Sequence, residues 1–217
     1  MDARWSLRRQ YAVYAALSLI VLGFTALLLP AARADFQRFI GAVNPLLVVV
    51  GCALVGGLAL GWLHRRYGFE IMQGPQTPRG IAIAAAVATL LAVAIVIADL
   101  FIRYPEDTNI PMPRALLFYP AIGFVAEIVF HIVPLALVLL LLTPFCPRLG
   151  ENRIVWLAIL IVAVTEPIFQ VTFQGEPFTW GAAYTWLHVF VFALCQLAIF
   201  RRYDFVSMFA FRLIYYA

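Results

Sequence analysis

Six stretches of this chain run for about the length of a membrane span with almost no charge: residues 11–29, 43–63, 81–101, 118–142, 154–173 and 181–200. An α-helix needs roughly 20 apolar residues to cross a hydrocarbon core about 30 Å thick. Such runs, separated by short polar breaks rich in glycine, proline and arginine, predict an all-α fold. The expected architecture is a polytopic transmembrane helix bundle of six full spans in a single transmembrane domain, residues 1–217. A last apolar segment, 205–217, is too short to cross and reads as a partial or truncated seventh helix, or as a re-entrant or interfacial tail.

Charge agrees with this reading. Only 12% of the 217 residues are charged, against about 25% in soluble domains. The formal charge of +4 arises from 15 basic residues, every one an arginine, and all but Arg212 lie in the polar flanks and breaks of the spans. Nucleic acid is therefore not an expected partner. With the N-terminus inside, the inner breaks hold Arg4, Arg8, Arg9, Arg65, Arg66, Arg79, Arg148, Arg153, Arg201 and Arg202, and the outer breaks hold Arg33, Arg38, Arg103 and Arg114. That asymmetry predicts a cytoplasmic N-terminus, and the expected location is the bacterial inner (cytoplasmic) membrane. The first apolar run is longer than a signal-peptide core of 7–15 residues, so it reads as a retained span, although cleavage after Ala34 has a suitable small-residue context. Gly57 and Gly61 have GxxxG spacing, which permits close helix approach. Cys52, Cys146 and Cys195 are widely spaced and read as packing residues. Trp5, Trp62 and Trp180 fit interfacial anchors.

The chemistry lies in the few polar groups inside the apolar runs. Span 118–142 carries Glu127 and His131, span 154–173 carries Glu166 and Gln170, and span 181–200 carries Tyr184 and His188, with Gln196 two turns on. Each pair is four residues apart and so lies on one helix face. Ionisable groups in lipid are costly, about 2.5–3.5 kcal/mol by insertion scales, so the three faces are expected to meet. Depth permits it: at 1.5 Å per residue Glu166 lies roughly 18 Å from the inner end of its span and His188 roughly 11 Å from the outer end of its own. Such a cluster has four uses: a carboxylate and imidazoles acting as general bases, a metal site of His and Glu, haem ligation by His131 and His188, or hydrogen-bonded glue between helices. Gln170 and Gln196 taken singly read as glue, Asp99 as a helix-end group, and His64, followed by two arginines, as a cytoplasmic surface residue.

At these residues the chain resembles the CPBP family (CAAX-protease and bacteriocin-processing, or abortive-infection, proteins) of multi-span membrane proteins, many of them glutamate-dependent intramembrane proteases. The family's EExxxR motif is matched by Ala126-Glu127-Ile128-Val129-Phe130-His131, and its FxxxH by Tyr184-Thr185-Trp186-Leu187-His188. Its third, HxxxN-like motif falls at Arg212-Leu213-Ile214-Tyr215-Tyr216 or beyond. The departures are Ala126 at the first glutamate, His131 at the arginine, and the missing third histidine. The resemblance covers about residues 117–217 and implies an endopeptidase acting on a membrane-protein or peptide substrate. Glu127 or Glu166 would activate water with His188, His131 would position or stabilise the oxyanion, and Gln170, Tyr184 and Arg212 would support them. The incomplete motifs keep a second expectation open, a non-catalytic subunit or accessory protein that binds partner helices. A haem or divalent-metal carrier using His131 and His188 is a third; no cofactor is otherwise expected.

Overall fold

A computed structural model describes residues 6–102, 110–172 and 179–217. Arg4, Trp5, Arg103 and Phe173, used in the sequence reading, lie outside the described residues. The six apolar runs are helices long and apolar enough to cross a membrane: α1 (Leu7–Ile40), α2 (Pro45–Tyr67), α3 (Thr77–Asp99), α4 (Ala115–Leu149), α5 (Glu151–Gln170) and α6 (Trp180–Arg202). A shorter α7 (Phe205–Tyr216) follows. Among the described residues there is no strand, so the protein is an all-α polytopic membrane bundle.

Most helices outrun the apolar stretches that predict them, because helical hydrogen bonding continues through polar flanks until something stops it. Here the stops are glycines at positive φ: Gly41 (67°) after α1, Gly68 (69°) after α2 and Gly150 (82°) after α4. Glycine reaches this region without the steric cost other residues meet. The break between the fourth and fifth apolar runs, residues 143–153, is mostly helix. Pro144 and Pro147 fall at the first positions of two short helical turns, Thr143–Phe145 and Cys146–Leu149, where a missing N–H is no loss.

The glycine-spaced face of α2 forms a seam with α1. Tyr11 donates to the carbonyl of Gly57 at 3.2 Å, and Tyr14 to that of Ala53 at 3.0 Å. A Cβ at Gly61 would lie 1.9 Å from the Tyr11 hydroxyl, so only glycine leaves room for that ring.

α4 contains an irregular turn with an identifiable cause. Pro134 has no N–H to give the carbonyl of Phe130. The backbone widens just before it into a π turn, Glu127–Ile132, in which Val133 N–H bonds back to Ile128. The freed Phe130 carbonyl accepts instead from the Thr165 hydroxyl of α5, at 2.9 Å. One proline thus ties α4 to α5 next to Glu166.

The tail is a helix too short for a full span, packed within the bundle. At 12 residues α7 is roughly 18 Å long, and it packs against α3, α6 and α4 with Phe205, Met208, Phe209, Phe211 and Arg212 buried. Its N-terminus is held by a tucked segment, residues 68–76. Asp204 caps α7 by accepting from Ser207 N–H at 2.8 Å, and accepts also from Gln73 N–H at 2.9 Å and from the Thr77 hydroxyl. Phe205 and Val206 donate to the carbonyls of Glu70 and Ile71 at 3.0 and 3.1 Å. Gln10 on α1 donates to the buried Glu70 and accepts from Ile71 N–H. His64 belongs to this cap and not to the open surface: it is half-buried, with Nδ1 2.9 Å from the Phe69 carbonyl.

Candidate functional site

Arg212 enters the bundle on α7 and is 1% exposed. It is long enough to reach three other helices. Its Nε donates to Glu127 Oε1 at 2.6 Å, its two terminal nitrogens donate to both oxygens of Glu166 at 3.0 and 2.8 Å, and further bonds go to Gln196 Oε1 and the Tyr216 hydroxyl, each at 3.0 Å. The planar fork of a guanidinium suits this bidentate arrangement. Phe192 lies under the charge, 5.1 Å from ring centre to Cζ. Gly123 provides the space: a Cβ there would approach Arg212 Cδ to 3.2 Å.

His131 stands between the two carboxylates. Its Nδ1 is 3.1 Å from Glu127 Oε2 and its Nε2 3.6 Å from Glu166 Oε2. The first contact is not aligned as a hydrogen bond and the second is too long for one, so both imidazole nitrogens and Glu127 Oε2 are buried without a hydrogen-bond partner. Glu127 Oε1, by contrast, is saturated: it accepts from Gln196 as well as Arg212. Gln170 Nε2 donates to Glu166 Oε1 at 3.1 Å. Two carboxyl groups thus face one guanidinium and one imidazole.

The expected meeting of three polar faces is thus corrected to two. Glu127, His131, Glu166 and Gln170 come together, joined by Arg212 and Gln196. Tyr184 and His188 turn elsewhere. Tyr184 donates to the Ala94 carbonyl of α3 at 3.1 Å, and His188 Nε2 lies 2.9 Å from the Tyr215 hydroxyl. The reason is rotation along α6: eight residues separate His188 from Gln196, which at 3.6 residues per turn leaves the two about 80° apart. Gln196 is the α6 residue aimed at the carboxylates. Its apolar flanks and internal position were a legible signal; its partner was not. Tyr216 carries no sequence signal, since tyrosines at a helix end fit an interface equally well. Here it bonds Arg212 and stacks on Tyr119 with ring centres 4.8 Å apart.

Among the described residues no group of three or more His, Cys, Asp or Glu is arranged to hold a metal ion. Arg212 lies on the two carboxylates, and His131 and His188 engage different partners. No family model matches the chain, and no curated protein or solved structure matches it either.

Proposed function

We propose that this integral membrane protein is a CPBP-like intramembrane peptide hydrolase centred on Glu127, His131 and Glu166. The observation that carries the reading is His131, fully buried with both nitrogens facing carboxylate oxygens and neither one hydrogen-bonded. In this reading Glu127 Oε2 holds the ring through Nδ1, and Nε2 is the base. Nε2 and Glu166 Oε2, 3.6 Å apart, are too close for a water to lie between them while the bundle is closed, so the water enters as the helices part. His131 takes a proton from that water as the water oxygen bonds to the scissile carbonyl carbon. It returns the proton to the amine nitrogen as the C–N bond breaks, giving a carboxylic acid and an amine. Arg212 offsets the carboxylates' charge, and Gln170 and Gln196 fix their orientation. The set is sealed, so a peptide enters only after α5 or α6 shifts.

The test is cleavage of labelled single-span peptides by the full chain in proteoliposomes. His131→Asn should reduce cleavage at least about 100-fold, the range of a lost general base, with unfolding in detergent unchanged. Cleavage by that variant at the wild-type rate would refute the mechanism.

Arg212 supports a second reading, a non-catalytic membrane subunit or accessory protein. A guanidinium that fastens carboxylates from two helices makes a lock, and a locked bundle suits a protein that presents its outer faces to partner helices. A wild-type chain inert toward the peptides and recovered with a stoichiometric membrane partner would favour it.

A further inference from the structure

The outer half of α1 carries a second feature, independent of the polar cluster. α1 bends after Pro30, where Ala32 leaves helical geometry (φ −131°, ψ 29°). The bend opens a cleft of about 400 Å³ between α1 and the 42–45 connection to α2. Along α1 its wall is Ala26, Leu29 and Pro30, then Arg33 and Gln37, with Asn44 opposite. These α1 positions are spaced three or four apart, so they form one face, and the face changes from apolar to polar at the end of the apolar run.

That order matches a phospholipid, acyl chain first and headgroup second. Charge selects among phospholipids. Arg33 is exposed and has no ion-pair partner among the described residues. The nearest acidic residue in sequence, Asp35, is committed to Arg114 at 2.7 Å. We infer that this cleft is a binding site for an anionic phospholipid, with one acyl chain along Leu29 and Pro30 and the phosphate on Arg33, supported by Gln37 and Asn44. An arginine is suited to a phosphate because its fork donates twice.

The experiment is native mass spectrometry of the full chain released from nanodiscs of equal phosphatidylglycerol and phosphatidylcholine. The wild type should retain the anionic lipid over the zwitterionic one by about fivefold, as one interfacial arginine gives. Arg33→Gln should remove that preference. Leu29→Trp, which fills the apolar end, should lower retention of both lipids. Equal retention of the two lipids by the wild type, or an unchanged preference in Arg33→Gln, would overturn the site. Displacement of the lipid by inorganic phosphate would overturn it too, because the site would then be one for small anions.

Discussion

Arg212 and its partners show what a single charge does in an apolar interior. Removing one member of a buried ion pair strands the other, at a cost of about 3–5 kcal/mol, whereas replacing the whole set by neutral groups of similar shape is often near neutral. Arg212→Met should therefore lower stability by about that amount in detergent unfolding. Combining it with Glu127→Gln and Glu166→Gln should recover most of the loss. A triple variant no more stable than the single one would show that packing around Phe192 and Tyr216, and not charge, holds the arginine. The same geometry alters what single carboxylate changes report. Glu166→Gln strands half of a bidentate contact, so lost activity in that variant would mix chemistry with unfolding. His131, whose ring makes no aligned hydrogen bond, is the cleaner probe.

At the scale of elements, the α1–α2 seam gives a sharp test. Gly61→Ala should destabilise by about 1–3 kcal/mol, the usual cost of overpacking. Tyr11→Phe in the same chain should restore part of it, since the atom nearest the new methyl is the Tyr11 hydroxyl. Additive effects, measured by a double-mutant cycle in detergent, would place the strain elsewhere. Helices of this kind are legible in sequence because lipid leaves the backbone no other partner than itself. Glu127, His131, Glu166 and Gln170 were legible for a related reason: polar residues stand out in apolar runs, and their spacing fixes a face. Rotation between faces was not legible. Nothing local distinguishes the face of α6 bearing His188 from the one bearing Gln196, and only packing decides which meets α4. Nor was α7, whose apolar length suggests an interface until the buried cap at residues 68–76 anchors its start inside the bundle. The π turn also left no sign beyond Pro134, whose effect is shared with Thr165 on another helix.

For the whole molecule, the arginine asymmetry argues for an inner N-terminus. Cysteine labelling checks it in a background with Cys52, Cys146 and Cys195 replaced by serine. Ala42→Cys should react with an impermeant maleimide in intact cells, and Asn152→Cys only after permeabilisation. The opposite pattern would invert the bundle. The order of the chain has a further consequence, for biogenesis. Synthesis proceeds from the N-terminus, so α4 and α5, with Glu127 and Glu166, enter the membrane before α7 is made. Until Arg212 arrives these two acids share the bilayer with no guanidinium to oppose them. A nascent chain stalled short of α7 is thus a bundle with its spans in place and its counter-charge missing, the kind of intermediate that membrane insertases shelter and membrane proteases remove.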